Sequence, residues 1–418
     1  MIGGGFAGIN FLKHIDKERY DVTLVDKVNY HGFPPLFYQI ASSGLAPENI
    51  CFPFRRELRK GRMKGVHYRL GEVKYINLHR KEAVTQFESI PFDKLIIAAG
   101  STNNYFGNPE LEKYVYTLKS TSQALRIRNE VLERLEKASL CKDIEEKRRL
   151  LKFVVVGGGP AGVEMAGALG EMKRYIIPRE YPDIAPEDVS IILMEGAKAL
   201  LPSMSEKSQT DAYSSLKRLM VEVRLNSLLS SYRDNIITLS NGETLYSSMV
   251  IWTAGITGVP FMFEGQNITI GRGGRIEVDE LNCVKGTDCL YALGDIALMS
   301  TPDYPNGHPQ LAQVAIQQGR NLAKNLNNDT STRFRYKDKG TMATIGRNLA
   351  VVDLKHGHMS GWIAWMVWMF IHLISILGMR NKLTVLINWS WSYFTYATSL
   401  RLLVHSTKYP LRRRWGEM

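Results

Sequence analysis

Two glycine-rich runs carry the first chemical signal. Gly3-Gly4-Gly5-Phe6-Ala7-Gly8 recurs as Gly157-Gly158-Gly159-Pro160-Ala161-Gly162. Glycine at the first, third and sixth positions lets the chain turn tightly and brings helix N-terminal amides against a pyrophosphate. Each run is followed by a helix-like stretch and then by an apolar strand ending in an acid. These strands are Val22-Thr23-Leu24-Val25-Asp26 and Ile191-Ile192-Leu193-Met194-Glu195. An acid there accepts hydrogen bonds from ribose hydroxyls and repels a 2′-phosphate, so NADH is favoured over NADPH if the second run holds nicotinamide. One such run is weak evidence. Two, each with its acid, predict two dinucleotide-binding domains.

Other candidates stand further along. Leu95-Ile96-Ile97-Ala98-Ala99-Gly100 and Val250-Ile251-Trp252-Thr253-Ala254-Gly255 each read as a buried strand ending in small residues. Small side chains there let the backbone pass close to a flat cofactor. Leu290-Tyr291-Ala292-Leu293-Gly294-Asp295 is a third strand, whose acid either reaches cofactor oxygens or caps a helix. Ala312 to Arg320 reads as a helix with Gln313 and Gln317 on one face. Such amides can donate to a quinone carbonyl without imposing charge, or form an ordinary polar helix face. Glu164 falls in the first turn after the second glycine run. It is either a helix-dipole carboxylate or a group that handles protons or contacts nicotinamide.

The elements that position these residues fit an α/β chain of two to three domains in 418 residues. A net charge of +12 points to nucleic acid, an anionic membrane or an anionic substrate. Four cysteines, Cys51, Cys141, Cys283 and Cys289, contain no Cys-x-x-Cys pair, and no metal site is expected. The chain opens Met1-Ile2-Gly3, so the strand leading into the first glycine run is cut to two residues, as if the start were truncated. A weakened first site is the expectation. Residues 136–150 are charged and read as the solvated end of a connection into the second domain.

From about residue 360 the composition changes. Trp362 opens an apolar stretch that runs to Met379, with Trp365, Trp368, Met369 and His372 forming a stripe at spacings of one to three. A second stretch, Leu383 to Val404, is interrupted by Asn388, Ser390, Ser392 and Thr395. Each is too polar or too short for a comfortable span, which needs about 20 predominantly apolar residues. Residues 380–418 hold seven basic side chains (Arg380, Lys382, Arg401, Lys408, Arg412, Arg413, Arg414) against Glu417. Basic groups beside aromatic helices predict an amphipathic anchor on anionic lipid, with core or dimer-interface helices as the alternative. No nucleic-acid motif accompanies the charge.

The two glycine runs, Ala312-Gln313-Val314-Ala315-Ile316-Gln317, the run Asp338 to Arg347, and Asn388-Trp389-Ser390-Trp391-Ser392-Tyr393-Phe394-Thr395-Tyr396 together resemble type II NADH dehydrogenase, the non-proton-pumping NADH:quinone oxidoreductase. The resemblance runs essentially end to end. It implies two Rossmann-like domains plus a C-terminal amphipathic membrane-anchoring region. Their bounds are 1–117 with 265–330 for FAD, 118–264 for NADH, and 331–418 for the tail, with anchoring helices in 360–404. It implies FAD contacts from Gly3, Gly4, Gly5, Phe6, Ala7, Gly8, Asp26, Lys27, Val73, Ala99, Gly100, Asp295, Ala312, Gln313 and Lys339, with Tyr38-Gln39 approaching the flavin. It implies NADH contacts from Gly157, Gly159, Gly162, Glu164, Glu195, Ala254 and Gly255. Catalytic roles fall to Glu164, Gln313 and Gln317, with a membrane quinone near the two glutamines. A homodimer bound peripherally at the cytoplasmic face of a bacterial inner membrane completes the expectation. A sulfide or disulfide oxidoreductase of the same architecture and a low-turnover dinucleotide sensor are the rival readings.

Overall fold

The computed structural model describes residues 1–59, 61–355, 357–395 and 400–403. The expectations resting on Tyr396, Val404, Lys408, Arg412, Arg413, Arg414 and Glu417 concern positions outside these. The chain divides into two compact units, residues 1–32, 51–104 and 255–339 in the first, and 33–50, 105–254 and 340–418 in the second.

In the second unit a five-stranded parallel sheet forms around Lys152–Val156, four of whose five residues are buried apolar side chains. Burial on both faces explains the unbroken β-branched run, since helices cover a parallel sheet from either side. Ser190–Met194 and then Glu222–Arg224 lie on one flank; Met249–Trp252 and then Tyr116–Thr117 lie on the other. Thr121–Leu140 and Ile144–Leu150 are helices, and the latter buries none of its residues, which accounts for its charge.

The first unit repeats this order. His67–Leu70 pairs with Thr23–Asp26, and Leu95–Ile97 pairs with Leu290–Ala292, all in parallel. Ile2 bridges the two pairs, parallel to both Val25 and Ile97. The short leading strand is therefore fully engaged: the Ile2 amide donates to Ile96 O at 2.8 Å and its carbonyl accepts from Ala98 N at 2.7 Å.

The tail begins with an antiparallel meander, Thr341–Gly346, Leu349–Leu354 and Gly357–Ser360. Two helices follow, Gly361–Ser375 and Met379–Thr395. No described helix is long and apolar enough to cross a membrane. The expected stripe Trp362-Trp365-Trp368 does not form one face. Each three-residue step turns a helix back by about 60°, so Trp362 is exposed while Trp368 is buried and stacks on His372 at 4.1 Å. The outward stripe runs instead at spacing four, Trp362, Met366, Phe370 and Ile374, and then Met379, Leu383, Ile387 and Trp391 in the second helix. Arg401 is not a free basic group of the tail either: its guanidinium forms a two-point pair with Glu180.

Candidate functional site

The two glycine loops have one geometry. Gly3 and Gly157 adopt positive φ, +93° and +111°, and a side chain on either would strike backbone of the small-residue strand, Ala98 O at 2.4 Å or Ala254 N at 2.7 Å. Gly8 and Gly162 pack against the carbonyls of Gly3 and Gly157, where an added Cβ would lie 2.2 and 1.7 Å away. Gly5 and Gly159 face open space, with nothing within 4 Å of a hypothetical Cβ. Each is the N-cap of its helix, Phe6–His14 or Pro160–Glu171, and neither supplies a side-chain cap. Both helix N-termini thus offer backbone donors beside an open cradle, which suits a phosphate-bearing ligand.

The acids are equally matched. Asp26 accepts from Gly4 N at 2.7 Å and Val28 N at 3.0 Å. Glu195 accepts from Gly158 N at 2.5 Å and Ala197 N at 2.7 Å. Burial raises the Asp26 pKa while these amides oppose the shift. In the first unit Gly294 lets its strand end against Ala7 and Ala315, and Gly319 lets the Ala312–Asn328 helix lie on Ala7. Asp295 accepts from Ser101 Oγ at 2.7 Å. The structure therefore gathers the first loop, Asp26, Ala99, the Gly294-Asp295 turn and Ala312 around one place. Lys27 is exposed beside Asp26, and Val73 begins the strand Val73–Asn77.

Gln313 and Gln317 are engaged with main chain. Gln317 both donates to Lys337 O and accepts from Lys337 N, each at 2.9 Å, and Gln313 accepts from Lys339 N at 3.1 Å. This two-residue ladder fixes the strand-like segment before the tail. Periodicity alone reads it as a polar helix face, because the partner lies 20 or more residues away.

Sequence reasoning missed two supports of the first loop. His31 is buried, its pKa lowered to about 4 by desolvation, so its neutral ring donates from Nδ1 to Gly4 O at 2.7 Å. The Phe54 ring lies where a Gly4 side chain would stand, 2.2 Å from an added Cβ. Nothing in the sequence marks either residue.

A pocket of about 130 Å³ opens in the second unit, lined by Tyr38, Gln39, Glu164, Ala168, Arg347 and Trp365 among others. Its capacity is of the order that holds one aromatic ring. Gly167 lets Thr341–Gly346 lie against the Pro160–Glu171 helix, since a Cβ there would meet Ile345 O at 1.7 Å. That approach brings Thr344 N to 3.5 Å from Glu164 Oε1. Glu164 is buried, and desolvation raises its pKa to about 8 against that single opposing amide. It is a protonated acid at neutral pH. Glu171 accepts from Arg347 N at 2.6 Å. The Arg347 guanidinium in turn donates to Tyr393 O and Ser392 O at 2.7 and 2.8 Å, capping the second tail helix. The pocket lining includes Glu164 and Tyr38-Gln39 but neither Gln313 nor Gln317.

Two nucleotide cradles built on the same strand order define the class, and residues 1–319 match the pyridine nucleotide-disulphide oxidoreductase family. Residues 339–395 match the NDH2 C-terminal domain. The type II NADH:quinone oxidoreductase NdhA of Mycobacterium tuberculosis is 35% identical, covering 94% of this chain and 86% of its own. A second enzyme of that organism, type II NADH:quinone oxidoreductase Ndh, is 31% identical over 94% of this chain and 88% of its own. The solved structure of NDH2 from Plasmodium falciparum in complex with NADH shares the fold, with a TM-score of 0.86, 24% identity and coverage of 97% and 99% of the two chains. The chain belongs to the type II NADH:quinone oxidoreductases.

Proposed function

We propose that the first glycine loop holds FAD, the second holds NADH, and the pocket beside Glu164 receives a membrane quinone. The observation that carries the reading is Glu164, a carboxyl kept protonated at neutral pH on the wall of an aromatic-lined pocket. When bound, FAD supplies the redox chemistry, taking hydride from NADH and passing two electrons to the acceptor. The chain's own residues do the rest. Helix N-terminal amides after Gly5 and Gly159 bind the two pyrophosphates. Asp26 and Glu195 turn from the loop amides they now hold to the ribose hydroxyls. Glu164 gives one of the two protons that the reduced acceptor takes up, the hydride having brought the other, and regains its own from solvent. The apolar stripes of the tail helices seat the protein on a lipid surface, and exposed Arg380 beside them favours anionic headgroups.

The pocket assignment is tested by filling it. Ala168→Phe places a ring among the lining residues. Quinone reduction should fall tenfold or more, while reduction of ferricyanide, which needs no such pocket, persists. Unchanged quinone turnover would move the acceptor site elsewhere.

Nicotinamide choice has its own test. Glu195→Gln removes the charge that repels a 2′-phosphate, so the kcat/KM ratio of NADH to NADPH should narrow about tenfold or more. A ratio that does not move would place discrimination on another group.

A further inference from the structure

Two hydrogen-bond donors of the pocket find no acceptor among the described residues. Trp389, on the second tail helix, has an indole N–H that can only donate. It lies 2.9 Å from Gln39 Oε1, which fixes the orientation of that amide. The Gln39 amide nitrogen therefore faces Tyr38, donating to its hydroxyl at 2.8 Å. A phenol that accepts in this way still has its own hydrogen to give. None of the described residues takes it, although Tyr38 is only 8% exposed and lines the pocket. The same pocket is lined by Trp368, whose buried indole N–H also has no partner among the described residues. Leaving such donors unmet is costly, and two in one small pocket point to a ligand that presents acceptor oxygens.

We propose that the Tyr38 hydroxyl donates the hydrogen bond that holds the acceptor's carbonyl oxygen in this pocket, and that Trp389 aims it there through Gln39. The proposal rests on the pocket being the quinone site. Tyr38 contacts the substrate; Gln39 and Trp389 are positioning residues. The arrangement favours a ligand with a carbonyl, whose oxygen accepts without bringing a hydrogen of its own to be placed. Burial holds the phenol firmly protonated. Tyr38 therefore orients and polarises the carbonyl, and Glu164 remains the group that releases a proton. The chain also links the tail to the site: a shift of the second tail helix that displaces Trp389 frees Gln39 to turn over and takes the aim off Tyr38.

Tyr38→Phe, Trp389→Phe and the double variant test this with a short soluble quinone and, separately, with ferricyanide, which offers no carbonyl. Tyr38→Phe should lower kcat/KM for the quinone five- to tenfold, the size of one net hydrogen bond, and leave ferricyanide reduction unchanged. Trp389→Phe should lower the quinone value in the same direction. The double variant should be no worse than Tyr38→Phe alone, since Trp389 acts only through Tyr38. Additive losses would overturn the aiming chain, and equal losses with ferricyanide would reduce the effect to general destabilisation. If Tyr38→Phe left quinone kinetics intact while Ala168→Phe abolished them, the pocket would stand and the Tyr38 proposal would fall. If neither variant affected quinone, the pocket reading itself would fall.

Discussion

Glu164→Gln is expected to slow quinone reduction at pH 7 by about a hundredfold, the lower range for loss of a positioned general acid, while the NADH half-reaction stays fast. The native enzyme should lose quinone turnover as pH rises through about 8, where Glu164 gives up its proton. The glutamine variant should lack that limb. Stability should follow the same group. Burial lifts its folded pKa from the ordinary 4.5 to about 8, so its contribution is fully present below the unfolded value and is lost as pH rises to the folded one. At about 1.4 kcal/mol per pH unit, the loss is on the order of a few kcal/mol by pH 9. Glu164→Gln should thus show a smaller fall in Tm between pH 5 and pH 9 than the native protein. Stopped-flow pH profiles and thermal melts check both. A falling limb near pH 8 that survives in the variant would assign the titration to another residue.

The second large effect concerns the tail. Trp362, Phe370 and Ile387 are 55%, 62% and 64% exposed, so glutamate at all three should leave folding intact. Each large apolar side chain buried in lipid contributes roughly 1.5–3 kcal/mol, and three added carboxylates are repelled by anionic headgroups. The triple variant should stay unbound in flotation with vesicles containing phosphatidylglycerol that retain the native protein. Its turnover with long-tailed quinones should fall far more than with short soluble ones. High salt should release the native protein only in part, because the apolar contribution is not screened. Retention of the triple variant would assign these stripes to a protein interface. Deleting residues 358–418 is a poorer test. That cut also removes Trp365, Trp368 and Trp389 from the pocket and most of the strand Gly357–Ser360.

The chain's local chemistry was legible from its residues. The glycine spacing and the terminal acids are each dictated by backbone geometry within about 40 residues, and the small-residue strands by close approach to the same glycines. That is why both loops are found where the sequence puts them and match each other closely. The tail helices were also legible, because two long apolar, aromatic runs have few other uses. Their facing was not. Tryptophans three apart look like a stripe in the sequence, but which side of a helix is covered depends on what packs there: the Leu349–Leu354 strand, and the second tail helix through Trp389 against Trp368.

The sequence by itself determined that this protein carries two dinucleotide-binding folds and an apolar tail, since those follow from periodicity and short-range turn chemistry. Only the tertiary structure decided which polar groups meet. Gln313 and Gln317 bind main chain 20 or more residues onward, and Trp389 reaches Gln39 across 350 positions. Burial raises the Glu164 pKa to about 8 against the opposing amide of Thr344, which Gly167 lets approach. Desolvation and hydrogen-bond direction depend on neighbours distant in the chain, and no local pattern encodes them.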